Sequence, residues 1–231
     1  MAAPASEGPV RYASDGTLAI LQMDDGKANA LSHAMLAALD GALDRAQAEG
    51  VRGVVLSGRP GRFCAGFDLG VMQQGPDAAG ALVARGVELA VRLFEWPGPV
   101  VIAATGHALA MGAVLLCTAD ERVGARGEFK IGLNEVAIGL PLPRFAIELA
   151  QARLSIRHVH RATALAEIYT PEDAVEAGYL DRAVDASKVE AEATTRGRAL
   201  VSTLDAAAYR ATKRALRGAL GERLRDLKTL A

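Results

Sequence analysis

Three glycine-containing segments hold the residues whose types and spacing could do chemistry. Gly58-Arg-Pro-Gly-Arg-Phe-Cys-Ala-Gly-Phe-Asp-Leu69 makes a turn in which Ala65-Gly66 lets the backbone approach a ligand closely. Such a loop can aim peptide N–H groups at an anion or a polarised carbonyl, although many glycine turns at a strand end hold nothing. Gly106-His-Ala-Leu-Ala-Met-Gly-Ala-Val-Leu-Leu116 places small residues (Ala108, Ala110, Gly112, Ala113) at a helix start. Free N–H groups and the helix dipole favour negative charge there, while close packing of helix on sheet explains the alanines equally well. His107 lies at this helix entry without a Gly-x-Ser-x-Gly elbow and is read as structural. In Phe129-Lys-Ile-Gly-Leu-Asn-Glu135-Val-Ala-Ile-Gly139, one carboxylate sits in an apolar run. Glu135 is either on a solvated face or in a pocket whose desolvation raises its pKa and makes it a proton shuttle. Spacing alone leaves both open.

The elements that must position these segments follow from hydrophobic patterning. Residues 17–23, 51–57 and 99–105 are short apolar runs and read as strands. Residues 32–50 carry Met35, Leu36, Leu39 and Leu43 at helical spacing, with Ser32 as N-cap and Gly50 as the stop. Helices are also predicted over 77–95, 111–118, a segment opened by Thr170-Pro171 and closed by Gly178, 205–217 and 222–230. Continuous apolar strands alternating with helices imply a largely parallel sheet covered on both faces, and beyond residue 143 the chain reads as helical almost throughout.

Composition narrows the function classes. The chain has 231 residues, 51% hydrophobic and 23% charged, which suffices for one sizeable core and excludes a disordered protein. Lys and Arg number 26 against 27 Asp and Glu, a net charge of −1, so neither nucleic acid nor a membrane surface is expected as partner. Cys64 and Cys117 are too few for a disulfide framework or a zinc site and are read as free thiols in a reducing compartment. No basic and apolar leader opens the sequence and no uncharged apolar run is long enough to span a bilayer, so a soluble cytoplasmic protein is expected.

Taken in order, Phe63-Cys-Ala-Gly-Phe-Asp-Leu69, then Gly106-x-Ala-x-x-x-Gly-Ala followed by Asp120, then Gly132-Leu-Asn-Glu-Val-Ala-Ile-Gly139 resemble the crotonase family of enoyl-coenzyme A hydratases and isomerases. Asp25-Gly-Lys-Ala-Asn-Ala-Leu31 resembles that family's entry motif, and the likeness runs over about residues 10–215. The resemblance implies an α/β spiral of ββα units over residues 1–195, with a C-terminal helical region, 196–231, belonging to the same structural unit and packing into trimers or paired trimers. It implies an acyl-CoA thioester as substrate, with no metal and no cofactor beyond the CoA carried by the substrate. By motif, the backbone N–H groups that hold the thioester oxygen fall on Ala65 and Met111, the latter standing where the family usually has glycine. Lys27 and Ala28 fall near the nucleotide, and Gly66, Phe67 and Asp68 along the pantetheine. Gly112 and Val114 complete the substrate-facing set.

Glu135 matches one of the two carboxylates that hydratases of this family use, but the other position falls on Val114, which cannot move a proton. Asp120 and Glu121 lie beyond the helix and look structural. One carboxylate suffices to shift a double bond from a 3-enoyl to a 2-enoyl thioester, and Gly132-Leu-Asn-Glu135 resembles the isomerase members. Isomerisation is therefore the favoured reading. Hydration, with Glu88 or Glu95 supplying the missing acid, is the alternative, followed by an acyl-CoA-binding protein of little turnover. Lys213 and Arg214 are read as lying on an exposed helix.

Overall fold

The computed structural model describes residues 8–227. Antiparallel β1 (Val10–Ser14) and β2 (Leu18–Met23) open the fold, and α1 (His33–Ala48) follows, with the Ser32 hydroxyl accepting from the Met35 N–H. The chain then repeats one unit three times. β3 (Gly53–Ser57) and β4 (Gly61–Cys64) lead to α2 (Leu69–Met72) and α3 (Pro76–Phe94). β5 (Val100–Ala104) and β6 (Gly106–Leu109) lead to α4 (Met111–Thr118). β7 (Glu121–Ala125) and the two-residue β8 (Ile131–Gly132) lead to a short 3-10 turn at Val136–Ile138 and α5 (Arg144–Arg153).

In every repeat the first strand joins a large sheet and the second a small one. The large sheet runs β1-β2-β3-β5-β7-β9 and the small one β4-β6-β8, with all pairings parallel except β1 with β2. This is the spiral of ββα turns that the sequence resemblance implies. α6 (Ile156–Thr163), α7 (Pro171–Ala177), β9 (Arg182–Val184), α8 (Val189–Thr203) and α9 (Ala206–Leu227) complete the described chain.

Strand residues alternate between two cores, as a pleated sheet buried on both faces requires. Leu21, Leu56 and Ile102 pack with Leu36, Leu39 and Leu89 from α1 and α3, whereas Leu18, Val55 and Val101 pack beneath Val189, Ala193 and Val201 of α8.

Several expectations need correction. The two C-terminal helices are one, α9, running through Gly218 and Gly221. A side chain at Gly221 would meet the Glu95 carboxylate at 2.0 Å, so this glycine marks a contact and not a break. The helix end expected at residue 230 lies outside the described residues. β9 lies within the stretch read as helical, its three half-buried residues too few to show a period.

Lys213 is not exposed. Its ammonium donates to Asp120 Oδ2 at 2.6 Å and to the Gly98 carbonyl at 3.0 Å, while Arg214 does face solvent. One turn on, Arg217 donates to the carbonyls of Phe94, Thr118 and Ala119 and pairs with Asp120 at 2.8 Å. The Asp120 carboxylate also accepts from the Val100 N–H, so one acid joins α9 to the ends of α3 and α4 and the start of β5. Glu121 has an equally structural place, between Arg182 and Arg196.

Breaking a buried ion pair from one side leaves the other charge uncompensated and costs about 3–5 kcal/mol. Asp120→Ala is expected to lose stability in that range by chemical denaturation. Arg210→Ala on the exposed side of α9 should stay within about 0.5 kcal/mol of the parent.

Candidate active site

β4 ends at Cys64, and the chain turns through Ala65-Gly66-Phe67 into α2, whose N-cap is Asp68, accepting from the Val71 N–H. That loop is anchored from the first repeat. Asn29, fully buried at φ +54°, donates from its amide to the carbonyls of Met23, Arg62 and Phe63, and its Oδ1 accepts from the Asp25 N–H. The Asp25 carboxylate in turn accepts from the N–H groups of Lys27, Asn29 and Ala30. Leu31 then pairs with Phe67 as a short parallel bridge: the Leu31 N–H donates to the Gly66 carbonyl and the Leu31 carbonyl accepts from the Asp68 N–H.

This pairing corrects one expected oxyanion donor. The Ala65 N–H is already given to the Ala28 carbonyl at 3.2 Å, whereas the Phe67 N–H, flanked by the two bonds to Leu31, has no protein partner. An extended residue bridged on one side turns its own N–H to the other. On that other side lies the start of α4. A side chain at Gly66, which sits at φ +99°, would meet the Ala110 methyl at 2.8 Å and lie 3.5 Å from the Met111 nitrogen. Gly112 is pressed equally close, since a Cβ there would fall 2.2 Å from the Cys64 carbonyl oxygen. Ala110, at φ +50°, turns the chain into the helix and accepts from the N–H groups of Ala113 and Val114, so those of Met111 and Gly112 remain free at the helix end.

Phe67, Met111, Val114 and Glu135 line a common cavity of about 530 Å³, together with Val83 of α3 and Phe145 of α5. Glu135 is half-buried, and its Oε2 is sequestered from solvent with no hydrogen-bond partner. Burial holds its carboxyl above the usual carboxylate range, against a smaller opposing effect of its own backbone N–H. The neighbouring Asn134 Oδ1 is also buried and unpartnered. Val114 is 2% exposed and presents an aliphatic wall. Among the described residues lining the cavity, Glu135 is the single titratable side chain.

The other sequence candidates fall outside this chemistry. Neither acid of α3 reaches the cavity, contrary to the expectation that one could serve hydration: Glu88 is exposed near Arg85, and Glu95 pairs with Arg225 at the far end of the helix. His107 accepts from the Lys130 N–H through Nδ1 and stacks edge-on against Phe129; burial and nearby Arg62 and Lys130 lower its pKa, a structural arrangement. Cys64 and Cys117 are free, buried thiols whose pKa values burial pushes up to about 12 and about 11, so neither is a ready nucleophile. The Lys27 side chain is exposed, and Ala28 is placed by its carbonyl's bond to Ala65. The anchoring bonds of Asn29 and the unpartnered Phe67 amide were missed in the sequence. A buried asparagine in left-handed geometry could have been suspected from Gly26-Lys-Ala-Asn29, but the free amide depends on a pairing 36 residues apart.

Fold and site together define a protein of the crotonase class. The sequence profile of the enoyl-CoA hydratase/isomerase family matches residues 13–229, and the chain belongs to that family. It is 32% identical over 198 residues to a probable enoyl-CoA hydratase of Bacillus subtilis, covering 84% of this chain and 74% of that protein. It is 30% identical over 205 residues to human mitochondrial enoyl-CoA delta isomerase 1, covering 83% and 68%. The apo structure of the Mtb enoyl-CoA isomerase superposes with a TM-score of 0.92 at 38% identity, covering 97% of each chain. Among the described residues no helix is long and apolar enough to cross a membrane.

The raised pKa of Glu135 has a stability consequence. A carboxyl whose folded pKa lies above its unfolded value stabilises the fold while protonated and loses that contribution as pH rises through the folded pKa. Glu135→Gln is therefore expected to melt above the parent at pH 7, with the gap closing near pH 4, as followed by thermal denaturation across pH.

Proposed function

We propose that this chain is an enoyl-CoA isomerase that converts 3-enoyl-CoA to 2-enoyl-CoA. The observation that carries the reading is Glu135, the lone titratable side chain lining the cavity, desolvated and unpartnered, with Val114 at the position implied for a second carboxylate. Water addition needs one group to activate the water and another to manage the second proton. A double-bond shift needs one base that returns the proton it takes.

In this reading the thioester oxygen lies against the N–H groups of Phe67 and Met111, at the positive end of α4. Glu135 removes a proton from C2, and the electron pair delocalises through the thioester carbonyl onto its oxygen. As that charge returns, the C3–C4 double bond moves to C2–C3, and C4 takes the proton back from Glu135. Each well-aimed donor contributes about 3–4 kcal/mol in comparable oxyanion sites. Two donors supply much of what a carboxylate lacks against so weak a carbon acid. Desolvation raises the basicity of Glu135 in the same direction. The reaction needs no metal and no cofactor beyond the CoA carried by the substrate. A homotrimer or a pair of trimers is the assembly this reading carries with it.

Incubation with 3-enoyl-CoA is expected to raise the absorbance of the conjugated thioester, and 2-enoyl-CoA should not lose it. Glu135→Gln should lower the isomerisation rate by roughly 100- to 10,000-fold while acyl-CoA binding persists. Rapid loss of 2-enoyl-CoA absorbance would instead establish a hydratase, and binding without conversion of either substrate would establish a binding protein.

A further inference from the structure

Gly86 lies at the middle of α3, a buried position where helix propensity alone favours almost any other residue. The reason for glycine is steric. A Cβ at 86 would fall 2.4 Å from Cε1 and 2.5 Å from Cζ of Phe67, and 3.7 Å from Cε of Met111. The tip of the Phe67 ring therefore rests on bare helix backbone. Val83, three residues earlier on the same face, lines the acyl cavity together with Phe67 and Met111. Both side chains touching the Gly86 surface thus belong to the two residues whose amides face the thioester.

We infer that Gly86 is a specificity-determining residue, whose missing side chain lets the Phe67 ring withdraw against α3 and leaves the cavity deep enough for a medium-length straight acyl chain. This rests on the acyl-CoA reading of the site. A thioester held at Phe67 and Met111 directs its acyl chain past Glu135 along the wall formed by Phe67, Met72, Val83 and Phe145, which is apolar throughout. Any side chain at 86 must displace the ring, because a Cβ fixed to the helix backbone would lie 2.4 Å from the ring tip, about 1 Å inside ordinary contact, and the ring is the partner that can move. The open side of the ring is the cavity that it lines. A ring turned inward fills the far part of the cavity and spares the thioester end.

The test is binding of saturated acyl-CoA esters, which cannot turn over, to the full chain by calorimetry. Native protein should bind decanoyl-CoA more tightly than butyryl-CoA, each buried methylene adding roughly fourfold. Gly86→Ala is expected to weaken decanoyl-CoA on the order of tenfold and leave butyryl-CoA within about twofold. Removing the displaced ring in Gly86→Ala/Phe67→Leu should restore decanoyl-CoA affinity. Phe67→Trp, which leaves position 86 intact, should weaken decanoyl-CoA by a larger factor than butyryl-CoA and serves if Gly86→Ala does not fold. Equal loss for both esters, or a double variant no better than Gly86→Ala, would overturn the inference while leaving the acyl-CoA site standing. Failure of the native protein to bind any ester would overturn the acyl-CoA reading itself and this inference with it.

Discussion

The close approach of the loop after β4 to the first turn of α4 is the constraint on which the site depends. Two backbones meet there with at most a methyl group between them, at Gly66 against the Ala110 methyl and at Gly112 against the Cys64 carbonyl. Close backbone approach is the use to which glycine is suited, and it brings the Phe67 loop beside the Met111 nitrogen. A methyl group at Gly112 would force the two segments apart by about an ångström, and one at Gly66 would add a clash with the Ala110 methyl and a strained left-handed backbone. An oxyanion site tolerates little of that, because the effect of a donor depends on its aim at the developing charge.

Around that contact the fold spends stability on function. Glu135 is kept half-buried with an oxygen that bonds to nothing, and the Phe67 and Met111 amides are left open beside it. Each is an unsatisfied polar group, and the three residues line one cavity. The compensation is local: the Asn29 amide and Asp25 carboxylate saturate the surrounding loop so that the Phe67 peptide has no freedom to turn and find a partner. Ala110, strained at φ +50°, stands at the same place, opening α4 where its first amides are left without partners beside the cavity.

α3 and α4 divide their labour along their lengths. At their C-terminal ends their last carbonyls are capped by Arg217, which Asp120 holds in place beside Lys213. At its other end α4 offers free amides, and the middle of α3 offers Val83 and the bare backbone of Gly86. Charge is thus concentrated where the helices are anchored, and apolar surface where a hydrocarbon chain would lie. Rigid anchoring at one end is what allows the other to remain polar, open and positioned.

Much of this was legible in residue order. The strands at Leu18–Met23, Gly53–Ser57 and Val100–Ala104 are apolar runs that announce themselves, as does α1 with Ser32 as its cap. The small-sheet strands β4, β6 and β8 are two to four residues long and glycine-rich, so no periodicity marked them; they exist because parallel neighbours from successive repeats pair with them. Lys213 looked like a surface residue because its partner Asp120 is 93 positions away. The sequence by itself determined the chemistry available: one carboxylate in an apolar run, small residues before a helix, and a valine where a second acid would stand. Tertiary structure decided which amide of the Ala65-Gly66-Phe67 loop is free, since that depends on the carbonyls of Ala28 and Leu31 arriving from another repeat. It also decided that Glu135 is desolvated, because burial belongs to the surfaces that surround a residue and not to the residue.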